Sequence, residues 1–271
     1  VVEQPRLIAS DVDGTLLGAD ELPSVRTRAV VDRALAGGIP FVLVTGRPPR
    51  WVPRVAKDLP GVRWAVCANG AVLYDIHADR VHPPKTLSRE ALLELEQACA
   101  RALPNAWIGV ERVGLSAFED AATQFLCEID YRHVWAGPDH TSVPRAALFD
   151  RPAIKLLARD PDLTSDQMLA ALAPLVGPEI DLTYSSPNGL VEAAPHGVTK
   201  ASGLAAFATE HGVEQSGTVA FGDMPNDLAM LRWAGHGVAV ANAHPAVLAA
   251  ADEVTAANTE DGVALVLERW F

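Results

Sequence analysis

Apolar and polar positions follow two regimes along the chain. "RLIAS" (6–10) is a short apolar run and predicts a buried strand. "SVRTRAVVDRALAGG" (24–38) carries apolar positions at helical spacing, with Ser24 as N-cap and Gly37-Gly38 as the stop. "IPFVLV" (39–44) and "WAVCA" (64–68) are further apolar runs, closed by Thr45 and by Asn69-Gly70. Strands alternating with helices in this way predict a parallel sheet covered by helices.

The middle of the chain reads differently. "SREALLELEQACARAL" (88–103) is an amphipathic helix with Ser88 as N-cap and Leu92, Leu95, Ala98 and Ala102 on one stripe. Short mixed runs follow, "AWIGVER", "LSAFED", "RHVWAG" and "AIKLLAR", then a helix over "TSDQMLAALAPLV" and a run "IDLTYSS". Short strands with two helices predict a small α+β domain with an open sheet. "HPPK" (82–85) and "SSPNG" (185–189) bracket this region with the Pro and Gly content of linkers. The reading therefore assigns 1–83 and 189–271 to one domain and treats 84–188 as inserted into it. From "LVEAAP" (190–195) the first regime returns: a helix over "VTKASGLAAFATEHG", a strand "GTVAFGD", a helix "NDLAMLRWAG", a strand "HGVAVAN" and a helix "HPAVLAAA".

Composition narrows the field. Nearly half of the 271 residues are apolar, enough for a sizeable core. A net charge of −12 opposes nonspecific nucleic-acid binding, because a phosphate backbone needs basic neutralisation. It leaves room for an anionic substrate held by a local cation or a bound metal. Cys67, Cys99 and Cys127 form no C-x-x-C pair, and the eight histidines show no ligand spacing, so neither a disulfide framework nor a zinc site is expected. No secretory or membrane-spanning stretch stands out, and a cytoplasmic protein, monomer or homodimer, without nucleic-acid or membrane partners is expected.

Chemistry in an open parallel sheet gathers at the carboxyl ends of its strands. Four polar clusters fall there or open a helix: Asp11/Asp13 in "DVDGT", Thr45-Gly46-Arg47, Lys200, and Gly222-Asp223 with Asn226-Asp227 in "GDMPND". Two carboxylates at the tip of a buried strand repel each other and are costly to desolvate. A divalent cation resolves this: Asp11 and Asp223 would ligate Mg²⁺, which favours hard oxygen donors. Asp13 is then free to carry a proton, so the two aspartates divide the roles of nucleophile and acid/base. Thr45, Lys200 and Asn226 would bind phosphoryl oxygens. Lys200 opens its predicted helix, where the dipole disfavours a cation, and this placement points to an anion to be held.

"DVDGT", "TGR", the lysine of "GVTKASGL" and "GDMPND" resemble, in order, the four motifs of the haloacid dehalogenase superfamily. The insertion between the second and third motifs, together with "ANGAVLYD", is similar to the Cof-type branch with a C2B cap. The resemblance implies a doubly wound Rossmann-like α/β core with sheet order 3-2-1-4-5 and an α+β cap that selects the substrate. It implies Mg²⁺-dependent hydrolysis of phosphomonoesters of small phosphorylated metabolites, such as sugar phosphates. Asp11 would form an aspartyl-phosphate, and Asp13 would protonate the leaving alcohol and then activate water. Mg²⁺ would be held by Asp11, the backbone carbonyl of Asp13, and Asp223. Val12 would offer a backbone N–H to the phosphate, alongside Thr45, Gly46, Lys200 and Asn226. Asp227 would orient the ligands from behind, and Arg47 matches the pattern without a fixed role. Asn69 is a candidate for substrate contact, and Arg112, Arg132, His133 and Trp135 are weaker candidates in the cap. Two other readings stand beside the phosphatase: a phosphomutase, which would need a bisphosphate activator, and a phospho-ligand sensor without turnover.

Overall fold

The structure, a computed structural model, describes residues 3–134 and 139–271. It divides into two compact units: residues up to His82 together with Thr199–Phe271, and Pro83–Val198. The first unit opens with β1 (Leu7–Ser10), α1 (Val25–Ala36), β2 (Phe41–Val44), a short α2 (Val52–Ala56), β3 (Trp64–Cys67), β4 (Val72–Asp75) and β5 (Arg80–Val81). The second unit runs through α3 (Arg89–Ala102), β6 (Trp107–Glu111), α4 (Ala121–Gln124), β7 (Phe125–Cys127), β8 (Thr141–Ser142), β9 (Lys155–Arg159), α5 (Ser165–Leu172), β10 (Ile180–Thr183) and β11 (Leu190–Pro195). The chain then returns to the first unit with α6 (Lys200–Glu210), β12 (Thr218–Gly222), α7 (Leu228–Trp233), β13 (His236–Ala239), α8 (Pro245–Leu248), β14 (Glu253–Val254) and α9 (Gly262–Leu267). Among the described residues, no helix is long and apolar enough to cross a membrane.

Among the described residues the first unit carries an eight-stranded sheet in the order β14-β13-β12-β1-β2-β3-β4-β5. The six strands from β14 to β3 are parallel, and β4 and β5 add an antiparallel edge. Counting the first five parallel strands in chain order gives 3-2-1-4-5, the order the resemblance implies. β1 and β2 are buried at every position, which explains their continuous apolar runs: helices cover both faces of a parallel sheet. On one face Leu7, Ala9, Val42, Val44 and Val66 pack with Leu204 and Phe207 of α6 and with Met230 and Leu231 of α7. The centre of this sheet is therefore a fixed platform, and β1 and β12 deliver Asp11 and Asp223 to neighbouring strand ends.

In the second unit, among the described residues, six strands run β10-β11-β9-β6-β7-β8, antiparallel except for the β7–β8 pair. Leu92, Leu95 and Cys99 of α3 and Met168 and Leu172 of α5 close one core with Ile108, Val110, Leu156 and Ala158. The alternate positions behave differently: Phe125, Cys127, Tyr131, Leu157 and Leu190 form a smaller cluster, and Lys155 Nζ donates to Glu192 at 2.7 Å.

The structure corrects the second domain boundary. Residues 190–195 belong to the inserted sheet, because β11 pairs with β10 and β9, and the chain returns at Thr199 rather than at 189. "SSPNG" is the loop of the β10–β11 hairpin, in which Thr183 faces Glu192. Pro and Gly favour a turn whether it joins two strands or two domains, so composition alone does not separate these cases. Residues 115–120 form no strand; β7 and β8 hold that part of the sheet instead. "RHVWAG" falls partly outside the described residues.

The start of α6 is fixed by close backbone packing. Gly70 has φ +102, and a Cβ there would run into the Thr199 carbonyl. A Cβ on Gly203 would in turn reach the Gly70 Cα at 2.8 Å. Thr199 Oγ1 accepts from the Ser202 N–H at 3.1 Å, and Ser202 Oγ accepts from the Thr199 N–H at 3.0 Å, a reciprocal cap that satisfies otherwise orphaned donors. Gly70→Ala is expected to cost about 2–3 kcal/mol, from backbone strain plus overpacking. Gly38→Ala, also at positive φ but with nothing within 4 Å, carries the strain alone and should cost about 1 kcal/mol. Urea unfolding of the two variants checks the difference.

Candidate active site

Asp11 follows β1 and still donates its N–H to the Phe221 carbonyl at 2.9 Å, so the strand holds it in register. The chain then turns sharply. Gly14 sits at φ +76, the left-handed region, and a Cβ there would collide with the Asp223 carboxylate. Glycine is thus required twice at this position, for the turn and for the close approach of Asp223. The turn closes where the Leu17 N–H donates to the Val12 carbonyl at 3.0 Å.

Lys200 is fully buried and lies between two carboxylates. Its Nζ donates to Asp11 Oδ1 and, at 2.6 Å, to Asp227 Oδ1. The anion that its helical position called for is therefore supplied by the protein itself. Burial depresses the Lys200 pKa, but the Asp11 and Asp227 charges more than reverse this, so the amine is held protonated. The other oxygen of Asp227 accepts from the backbone N–H groups of Asp223 and Met224, each at 3.0 Å. Both oxygens of Asp227 are thus engaged in orienting its neighbours.

Asp11, Asp223 and Asp227 bring carboxylate oxygens within 4.8 Å of one another, all buried. Three carboxylates face one ammonium. Burial raises the Asp11 pKa well above its ordinary value; Lys200 opposes this, and the neighbouring aspartates add to it. Burial and then the charge of Asp227 push Asp223 up to about 7, against Lys200, Thr15 and a hydrogen bond with Asp11. Thr15 Oγ1 donates to Asp223 Oδ1 at 3.0 Å. Carboxylates pushed toward sharing a proton form a site that a hard divalent cation fits, since the donors are all oxygen and the charge is in excess.

Asp13 takes a different direction. It is exposed, and Arg47 grips it with two hydrogen bonds, Nε to Oδ2 at 2.8 Å and Nη2 to Oδ1 at 2.5 Å. This bidentate geometry gives Arg47 a definite contact that the sequence left unspecified. Thr45 is buried, and its Oγ1 accepts from the Arg47 N–H at 3.0 Å. Asn226 Nδ2 donates to Asn69 Oδ1 at 3.0 Å, and Asn69 holds a left-handed φ of 55. A Cβ on Gly46 would approach Asn69 Oδ1 at 3.2 Å, which places Gly46, Asn69 and Asn226 together. Asn69 and the candidates from the four motifs therefore sit on one unit, at or just after the ends of β1, β2, β3 and β12 and at the start of α6.

Sequence reasoning missed two residues. Thr15 lies inside "DVDGT" but carried no role. Asn242 Nδ2 donates to the Gly14 carbonyl at 2.8 Å, and its Oδ1 accepts from the Asn258 N–H at 2.9 Å, tying the turn to the loop after β13. Its position after an apolar run cannot reveal a partner 228 residues away. The weaker candidates are occupied within the second unit. Arg112 Nη2 donates to the Leu148 carbonyl at 2.9 Å and to Asp150 at 3.0 Å, a structural strap. Arg132 lies over the Trp107 ring, and His133 packs on Phe125 and Tyr131. Trp135 lies outside the described residues.

A model of the family described as haloacid dehalogenase-like hydrolase matches residues 8–267. A 5-amino-6-(5-phospho-D-ribitylamino)uracil phosphatase of Bacillus subtilis is 30% identical over 280 residues, covering 99% of this chain and 98% of its own. A pyridoxal phosphate phosphatase of Escherichia coli is 30% identical over 282 residues, covering 96% of each. A solved haloacid dehalogenase-like hydrolase from Bacteroides thetaiotaomicron superposes with a TM-score of 0.77 at 26% identity, over 98% of this chain and 99% of that one.

The carboxylate cluster sets a pH dependence. An aspartate whose folded pKa is raised favours folding below its unfolded value near 3.8, and that advantage is lost as pH rises to about 7. A divalent cation binds the ionised form, so its stabilisation grows over the same window. The rise in melting temperature on adding Mg²⁺ is expected to be larger at pH 8 than at pH 5.5 and to shrink in Asp223→Asn. Thermal melts at both pH values, with and without the ion, check this.

Proposed function

The chain belongs to the haloacid dehalogenase-like hydrolase family, and from this membership and the site geometry we propose a Mg²⁺-dependent phosphatase that hydrolyses small phosphorylated metabolites through an aspartyl-phosphate. The observation that carries the reading is the buried Lys200 ammonium between Asp11 and Asp227, with Asp223 beside them. A nucleophile at a buried strand end needs a counter-charge and a fixed orientation, and the Lys200 contact supplies both.

Asp11 attacks phosphorus, the ester P–O bond breaks, and Asp13, which must leave its Arg47 contact and take up a proton for this step, gives that proton to the departing alkoxide. Asp13 then takes a proton from water as the water oxygen attacks the aspartyl-phosphate. The bond between the Asp11 oxygen and phosphorus breaks, releasing phosphate and restoring the carboxylate. Lys200, Thr45, Gly46, Asn226 and the Val12 N–H provide the donors for the phosphoryl oxygens. Asp11, the Asp13 carbonyl and Asp223 would hold Mg²⁺, which would supply charge neutralisation for a phosphoryl group. Asp227 fixes Lys200 and the Asp223 backbone, and Arg47 sets the rotamer of Asp13. Asn69 is assigned to the substrate side through its contact with Asn226. Residues 83–198 act as the inserted C2B-type unit, the part of the chain assigned to choosing among substrates.

The two named relatives, for a ribitylaminouracil phosphate and for pyridoxal phosphate, support a substrate that pairs one phosphomonoester with a compact polar body. The test is phosphate release across sugar, nucleotide and cofactor monophosphates, with and without Mg²⁺. Release is expected to depend on the ion and to fall on the order of 10⁴-fold in Asp11→Asn, as for loss of a nucleophile. Asp13→Asn is expected to lose about 10²–10⁴-fold on alkyl phosphates and less on p-nitrophenyl phosphate in the first step, whose leaving group needs no proton. Absence of release from every compound, with or without the ion, defeats the proposal.

A further inference from the structure

The inserted unit holds a second group of metal-ligating atoms with a different chemistry. Cys127 Sγ and one ring nitrogen from each of His133 and His140 lie within 4.8 Å of one another. The two imidazoles face each other nitrogen to nitrogen, His133 Nε2 to His140 Nδ1 at 3.0 Å. Two histidine nitrogens on one tetrahedral ion stand ~3.4 Å apart, given a zinc–nitrogen bond near ~2.0–2.1 Å. The pair is therefore already close to the spacing such an ion requires.

The sheet fixes this convergence. Cys127 ends β7, pairs with Gly109 on one side and with Ser142 of β8 on the other, and its carbonyl accepts from the Val143 N–H at 2.9 Å. His140 directly precedes β8, which brings it alongside β7. His133 is seated by rings: its centroid is 5.1 Å from that of Phe125 and 4.9 Å from that of Tyr131. Orientation of a ligand by its neighbours is the usual support of a metal site. The spacing Cys-x5-His-x6-His matches no compact zinc signature, so the sequence pointed away from this site.

We propose that Cys127, His133 and His140 form a transition-metal site in the inserted unit, taking a borderline ion such as Zn²⁺ and separate from the all-oxygen cluster of the first unit. Sulfur and imidazole donors select against Mg²⁺, and carboxylates select for it, so the two sites sort their ions by donor chemistry. Burial keeps the Cys127 thiol protonated to about 11, with Ser142 opposing and Glu128 adding. Metal binding must therefore displace a proton from sulfur.

The protein is stripped with chelator, given excess Mg²⁺ to cover the oxygen site, and titrated with Co²⁺. A thiolate-to-cobalt charge-transfer band is expected, saturating near one equivalent and bleached by Zn²⁺. It should vanish in Cys127→Ser, and in His133→Ala and in His140→Ala the Co²⁺ dissociation constant should rise about tenfold or more. Should Cys127→Ser fail to fold, the His133→Ala/His140→Ala double variant keeps the thiol and must lose the band. No thiolate band in the wild type, or a band that persists in the double variant, overturns the proposal and leaves the two histidines as aromatic packing.

Discussion

The first unit depends on one buried cation. Lys200 Nζ stands between Asp11 and Asp227, and Asp227 in turn accepts from the Asp223 and Met224 N–H groups. An ammonium is costly to bury, and so is each carboxylate; neither is stable there without the other. The lysine also opens α6, where the helix dipole opposes a positive charge. Two anions, Asp11 at the end of β1 and Asp227 in the turn after β12, outweigh that opposition. The backbone contact of Gly70 with Thr199 and Gly203 brings the helix start close enough for the side chain to reach.

One charge does not balance three. With Asp223 included, the cluster holds more carboxylates than one ammonium balances; burial first, and the neighbouring aspartates after it, raise the pKa values of Asp11 and Asp223. Thr15, the backbone donors on Asp227 and the Asn242 brace on the Gly14 turn hold the carboxylates in place despite their repulsion. Rigidity of this kind serves phosphoryl transfer, where positioning and charge stabilisation supply most of the catalysis. Asp13 stands apart from this balance. It is exposed and paired with Arg47, so it meets a different environment from Asp11 although a single residue separates them. Different surroundings are what allow two carboxylates to take different roles.

The inserted unit is built on another principle. One face of its sheet closes an aliphatic core under α3 and α5, while the other carries rings, a thiol and a buried Lys155–Glu192 pair. Hard oxygen donors gather in one unit and nitrogen and sulfur donors in the other. That segregation follows from which residues each sheet presents at its strand ends and edges.

The sequence by itself determined the parallel core and pointed to most residues of the candidate site. Short apolar runs ending in Asp11, Thr45 and Asp223 are legible because a strand buried on both faces must be continuously apolar and must end where polar residues begin. Helix caps at Ser24 and Ser88 are legible because capping is local chemistry. Only the tertiary structure decided that "LVEAAP" belongs to the inserted sheet, since a strand's partners are set by register with β9 and β10 and not by its own residues. It alone decided that Lys200 answers Asp11 across 189 positions, that Arg47 grips Asp13, and that Cys127, His133 and His140 meet. Pattern reports what a residue prefers within a few positions along the chain; distances between side chains brought together by folding are not written at that range.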